Sequence, residues 1–281
     1  MTEWNVAVIG GGTMGIGIAY RFAVAGAGVH LVDLDIEHAE RSVGGVVAAL
    51  ARAADRGKLA PDQAAAAGDR VTPAGSIDVV PPEPDFVIEA VIEDPDLKTT
   101  ILTAAERLDP GVLASNTSSI SIDQLAAGLG SPERFAGMHF FNPVWAIHLV
   151  EVVRGAATSD ETIARIVAAV AKLDMEPAIV NDAPGFASTR LGLVLGLEAI
   201  RMVEQGVAEP ADIDRAMEIG YRHPMGPLRT GDLVGLDVRL AIAEHLWGVY
   251  GDRFEPPRLL REMVAEGKLG KKSGRGFYDW D

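Results

Sequence analysis

Val6-Ala7-Val8-Ile9-Gly10-Gly11-Gly12-Thr13-Met14-Gly15 is the stretch whose reading decides the fold. An apolar, β-branched run gives way to glycines at the three positions of a G-x-G-x-x-G turn, and a helical pattern starts at Met14. The first glycine permits a tight turn, the second lets backbone N–H groups approach a pyrophosphate, and the third lets the helix pack closely on the strand. A second strand over residues 29–32 ends in Asp33, eighteen positions after Gly15, where a carboxylate can accept both hydroxyls of an adenosine ribose. No arginine follows until Arg41, so a 2′-phosphate would meet Asp33 and Asp35 with no cation beside them. Gly10, Gly12, Thr13, Met14, Gly15 and Asp33 are therefore expected to bind NAD rather than NADP.

Further strands are expected over residues 86–90, 112–114, 135–140, 149–153 and 177–180, with crossover helices between Met14 and Gly26 and between Asp96 and Leu108. Short strands alternating with helices imply an α/β chain with a Rossmann-type, doubly wound sheet. Residues 36–70 are too long for one crossover helix, and Gly57 with Pro61 breaks them into a helical hairpin able to reach past the sheet as an arm. After Val180 the strand signal stops, and Asn181-Asp182-Ala183-Pro184-Gly185 is a break before helical patterns that run to about Val264. This gives a cofactor-binding domain over 1–182 and an all-helical domain over 183–281.

The 281 residues are 48% hydrophobic, enough to bury a core in each of two domains. There is no cysteine, which excludes disulfides, thiolate metal sites and thiol catalysis and suits a reducing, cytoplasmic location. Met1-Thr2-Glu3 leads straight into the first strand with no basic region or cleavage site, so no leader is expected, and no long uncharged apolar run marks a membrane span. With 25 Lys and Arg against 40 Asp and Glu, the net charge of −15 repels nucleic acid, and no metal site is expected.

Gly137-Met138-His139-Phe140-Phe141-Asn142-Pro143 sets an imidazole and a carboxamide among large apolar side chains, and Leu149-Val150-Glu151-Val152-Val153 centres a lone carboxylate in an apolar strand. An ionised carboxylate buried without a partner costs several kcal/mol, so Glu151 needs one, and His139 is the nearest candidate. The pairing would hold one ring nitrogen as donor, leave the other for proton exchange and favour the imidazolium. A buried structural pair without chemistry is the alternative, and the nearby dinucleotide site weighs against it. Ser115-Asn116-Thr117-Ser118-Ser119 follows a strand at the carboxyl edge of the sheet, where open α/β folds bind ligands. There Ser119 or Ser121 can cap a helix while Ser118 faces the cleft.

Taken together, residues 10–19, 87–94, 115–120, 137–144, 149–152, 182–186, 224–228, 235–237 and 270–278 resemble the 3-hydroxyacyl-CoA dehydrogenase family. The resemblance implies a helical dimerisation domain, a homodimer, a cleft between the domains and a small thioester substrate carried on coenzyme A. It implies that His139 takes the proton of a 3-hydroxyl while Glu151 steadies it, that Ser118 contacts the hydroxyl or the nicotinamide, and that Asn142 lies in the nicotinamide region, with Asn116 also expected to bind the cofactor. Glu93, Lys98 and Lys272 match positions lining the NAD site, although on chemistry alone they read as solvated surface charges. Three positions depart from the pattern. Thr189 replaces an asparagine that reaches the substrate, Ala49 replaces a serine that touches CoA while Arg56 keeps the neighbouring cation, and Trp145 begins an altered stretch after Phe-Asn-Pro-Val. Trp145 and Thr189 leave a carrier-protein thioester or a free hydroxy acid as the alternative substrate; a non-catalytic NAD-binding protein is the alternative class, and the presence of His139, Glu151, Ser118 and Asn142 together argues against it.

Overall fold

The computed structural model describes residues 4–280, so Met1-Thr2-Glu3, on which the expected absence of a leader rests, lies outside the described residues. The chain divides into two compact units, Met1–Ala183 and Pro184–Asp281.

The first unit is an eight-stranded sheet in the order β3-β2-β1-β4-β5-β6-β7-β8. Its strands are β1 (Asn5–Ile9), β2 (Gly28–Val32), β3 (Val71–Ala74), β4 (Phe86–Glu89), β5 (Val112–Ser115), β6 (Phe135–Phe140), β7 (Leu149–Arg154) and β8 (Glu176–Asn181). The helices are α1 (Thr13–Val24), α2 (Ile36–Asp55), α3 (Pro61–Gly68), α4 (Pro95–Glu106), α5 (Ile122–Ala126) and α6 (Asp160–Lys172). Strands β3 to β6 run parallel in the expected doubly wound manner. Every residue of β4, β5 and β6 is buried, as central strands covered on both faces require. Strand β7 reverses direction and pairs antiparallel with β6, which the short connection between them allows.

The helical hairpin expected over 36–70 is present as α2 and α3, but it does not stand clear of the domain. Val46, Ala49, Leu50, Ala53, Ala64 and Ala67 join the main core, because the apolar stripes of both helices need a surface to bury against. The hairpin leads into β3, a strand that the sequence reading missed. Val71-Thr72-Pro73-Ala74 is short and contains a proline, which a sheet tolerates on an edge, and β3 is an edge strand.

The second unit contains α7 (Ser188–Glu204), α8 (Pro210–Arg215), α9 (Pro227–Val234), α10 (Leu236–Tyr250) and α11 (Arg258–Ala265), as the helical patterning anticipated. Its core gathers Leu193, Leu197, Ile200, Leu228, Leu236, Leu246, Phe254 and Leu260. Buried Asp214 accepts from the backbone N–H of Leu228 and Arg229 and from the Tyr278 hydroxyl. Buried Asp232 accepts from the N–H groups of Phe277 and Tyr278 and from the Trp280 indole. These two carboxylates fasten residues 276–280 to the helices, and burial together with the Asp214 hydrogen bond pushes the Tyr278 phenol far up.

Candidate active site

Gly10 adopts φ +105°, a left-handed conformation open chiefly to glycine, and a Cβ there would press within 2.7 Å of the Ala90 carbonyl. A Cβ at Gly15 would collide with the Gly10 carbonyl, so the third glycine lets α1 sit directly on the turn. Gly12 is the N-cap of α1 and makes no side-chain cap, and nothing lies within 4 Å of its Cβ position. The space beside Gly12 is therefore open at the N-terminus of α1, where a helix leaves its first N–H groups without intrahelical partners, a setting of the kind that receives a diphosphate. Thr13 and Met14 open the helix.

Asp33 follows β2 with Oδ2 accepting from the Gly11 N–H at 3.2 Å and Oδ1 accepting from the Leu34 N–H at 2.8 Å. Ser42 of α2, which the sequence reading missed, sits beneath it, its hydroxyl 2.9 Å from the Gly11 carbonyl and 3.3 Å from Asp33 Oδ2. The glycine turn and the Asp33 carboxylate are therefore one hydrogen-bonded piece. These residues fit NAD.

A cavity of about 320 Å³ opens next to this turn, lined by Met14, Ala90, Val91, Glu93, Lys98, Asn116, Ser118, His139, Phe140, Phe141 and Asn142. His139 and Glu151 are register partners across the β6–β7 ladder, and Nδ1 of the histidine donates to Glu151 Oε2 at 2.8 Å. Both are buried. Directly opposed residues on neighbouring strands share one face of the sheet, so the antiparallel register alone brings the pair together. The Asn116 carboxamide oxygen accepts from the Phe140 N–H at 2.9 Å, tying the loop after β5 to the strand that carries His139. Glu93 gathers the same loop by accepting from the Thr117 hydroxyl at 2.6 Å and the Ser118 and Ser119 N–H groups at 2.9 and 3.1 Å. Burial raises the Glu93 carboxyl, but the hydrogen bond from Thr117 and the Lys98 charge outweigh it and leave Glu93 below its usual range. Ser121, not Ser119, caps α5.

Lys98 is not the solvated charge that its chemistry suggested. It is 1% exposed and donates to Glu89 Oε1 at 2.7 Å, with Glu93 Oε2 at 3.4 Å. Glu89 itself was missed, although a signal existed. It ends the apolar run Phe86-Val87-Ile88, and the argument that demanded a partner for Glu151 applies to it equally.

Trp145 lies apart from this cavity. It meets Tyr20 edge to face, with ring centroids 6.1 Å apart, and lines a second pocket with Ala49, Arg52, Ala53, Arg56 and Lys58. Ala49, Arg56 and Trp145, three positions named from the sequence, thus share one basic, aromatic recess. The loop carrying Asn142 and Trp145 is held by α1: buried Arg21 donates Nε–H to the Val144 carbonyl at 3.0 Å, and a Cβ at Gly17 would lie within 2.6 Å of Val144 Cγ2. Arg21 was also missed, since arginine on a helix ordinarily reads as surface.

Thr189 and Lys272 belong to the second unit. Thr189 lies in the first turn of α7, and Lys272 pairs with Asp237 at 2.6 Å.

The profile of the 3-hydroxyacyl-CoA dehydrogenase NAD binding domain matches residues 5–183, and that of the 3-hydroxyacyl-CoA dehydrogenase C-terminal domain matches 185–280. A probable 3-hydroxybutyryl-CoA dehydrogenase of Bacillus subtilis is 43% identical over 280 residues, covering 99% of this chain and 97% of that protein. A 3-hydroxybutyryl-CoA dehydrogenase of Bradyrhizobium diazoefficiens is 39% identical, covering 98% and 95%. Among solved structures, (S)-3-hydroxybutyryl-CoA dehydrogenase from Ralstonia eutropha superposes with a TM-score of 0.93 at 40% identity over the whole of both chains. Profiles across both units, full-length relatives and a shared fold agree, and the chain belongs to the 3-hydroxyacyl-CoA dehydrogenase family.

Proposed function

We propose that the chain interconverts a short (3S)-hydroxyacyl-CoA and its 3-oxoacyl-CoA, with His139 as acid/base. The observation that carries this reading is the buried His139–Glu151 pair lining the same cavity as Met14, Asn116, Ser118 and Asn142, beside the glycine turn. NAD, when bound, accepts the hydride from C3. With Nδ1 committed to Glu151, exchange of the hydroxyl proton falls to Nε2, and the carboxylate stabilises the imidazolium that results. Ser118 offers a hydroxyl toward the reacting oxygen, and Asn116 and Asn142 border the nicotinamide region. Glu93 and Lys98 serve the cofactor site by the family resemblance, Lys272 matches a position that the family gives to the cofactor, and Thr189 stands where the family carries its substrate-reaching asparagine.

The pocket of Tyr20, Arg52, Arg56, Lys58 and Trp145 supports coenzyme A as the carrier. Three cations suit its phosphates and the aromatic pair suits its adenine, features that a free hydroxy acid lacks. Arg56→Glu is expected to lower kcat/KM with acetoacetyl-CoA about tenfold or more through KM, and to leave acetoacetyl-N-acetylcysteamine unaffected. Equal losses on both thioesters, or no reduction of acetoacetyl-CoA by NADH in the unmodified protein, would refute this assignment.

We further propose a homodimer formed through the helical unit. Leu191, Val194 and Leu195 leave an apolar face of α7 uncovered, with Leu191 64% exposed. Light scattering at micromolar concentration is expected to give about twice the chain mass of 29.7 kDa, and a monomer would exclude the proposal. The cysteine-free composition favours a cytoplasmic location. No helix among the described residues is long and apolar enough to cross a membrane.

A further inference from the structure

Glu89 is the buried ionisable group that the chemistry above leaves without a task. It ends β4 at 0% exposure. Its Oε1 accepts from the Val91 N–H at 2.6 Å and from Lys98 Nζ at 2.7 Å, and its Oε2 accepts from the Ser115 hydroxyl at 2.6 Å. Lys98 also donates to the Val91 carbonyl at 3.2 Å and stands 3.4 Å from Glu93. The three groups form a row of alternating charge, negative, positive, negative. The inner two cancel, and the carboxylate of Glu93 is the uncancelled charge in the wall of the cavity that also holds His139.

The nicotinamide ring is cationic when oxidised and neutral when reduced, so a fixed charge in that wall acts on one redox form and not on the other. We propose that the Glu89–Lys98–Glu93 row sets a net charge of about −1 that favours oxidised over reduced cofactor. Glu89 is a positioning residue here. It neutralises Lys98 and holds it in the wall, and so determines how much of the Glu93 charge the ring experiences. Without Glu89, Lys98 would cancel Glu93 instead, and the contribution of the row to the preference would vanish. The His139–Glu151 pair adds its own negative charge but stays constant across the comparisons that test the row. The inference rests on the proposed placement of the nicotinamide in this cavity and is independent of the acyl substrate.

Calorimetry on the full chain, with NAD⁺ and NADH titrated separately, reads the effect directly. Glu89→Gln keeps the shape and changes the row from −1 to neutral, so Kd(NAD⁺)/Kd(NADH) is expected to rise about tenfold. The double substitution Glu89→Gln with Lys98→Met restores −1, and the ratio is expected to return to within about twofold of the unmodified protein even if both affinities fall. A purely structural role predicts that the two cofactors weaken together and that the double variant is no better than the single. Glu93→Gln makes the same change of charge at a part-exposed carboxyl and guards against a misfolded Glu89 variant; it too is expected to raise the ratio. An unchanged ratio in Glu93→Gln or Glu89→Gln, or a ratio still shifted in the double, overturns the proposal.

Discussion

Replacing His139 by Gln is expected to lower turnover by about 10²-fold or more while NADH affinity stays near that of the unmodified protein, since acid/base catalysis acts in the transition state. Glutamine fills similar space and can donate to Glu151, but it cannot shuttle a proton. Glu151→Gln is expected to fall in the same range for a different reason. The carboxylate accepts from Nδ1 at 2.8 Å in a buried setting, and in the proposed mechanism it holds the ring in one tautomer and offsets the positive charge the ring gains when it takes the proton. A carboxamide keeps a hydrogen bond and loses the charge. Because the two side chains act as a unit, the double variant is expected to lose little beyond the worse single. Steady-state kinetics with acetoacetyl-CoA, paired with NADH titrations, checks all three. Additive losses would mean that Glu151 contributes by a route that does not pass through the histidine.

The second large effect concerns Asp33. The unmodified protein is expected to bind NADH at least about a hundredfold more tightly than NADPH, because a 2′-phosphate would be driven against a carboxylate already fixed by Gly11 and Leu34. Asp33→Ala is expected to weaken NADH by about tenfold to a hundredfold, the worth of a charge-assisted hydrogen bond to the ribose, and to narrow the gap to NADPH. Part of that loss comes from the protein itself, since Asp33 and Ser42 together brace the glycine turn. Ser42→Ala separates the two contributions: it removes the brace and keeps the carboxylate. Equal affinity for the two cofactors in the unmodified protein would contradict the assignment of Asp33.

The features readable from sequence are those that short-range patterns encode. The strand, glycine turn and acidic strand end from Val6 to Asp33 follow from local sterics, and the structure places them as expected. The pairing of Glu151 with His139 follows from the energetic demand of a buried carboxylate, which a sequence shows as a charge inside an apolar strand. What escaped reading depends on contacts between distant elements. Strand β3 is short, contains Pro73 and is recognisable as a strand only beside β2. The burial of Lys98 is invisible on α4, because the apolar pattern of that helix does not reveal that Glu89 waits at the end of a strand nine residues earlier. Arg21 likewise reads as surface until the loop at Val144 is folded over it.

That last contact has an evolutionary consequence. Val144 meets α1 twice, through its carbonyl on Arg21 and through its side chain at Gly17, so the cofactor helix and the loop carrying Asn142 cannot drift independently. A methyl group gained at position 17 would have to be matched by one lost at position 144, so exchanges at these two positions are expected to be tolerated together and not singly, whereas the Arg21 contact, made to a backbone carbonyl, survives either exchange.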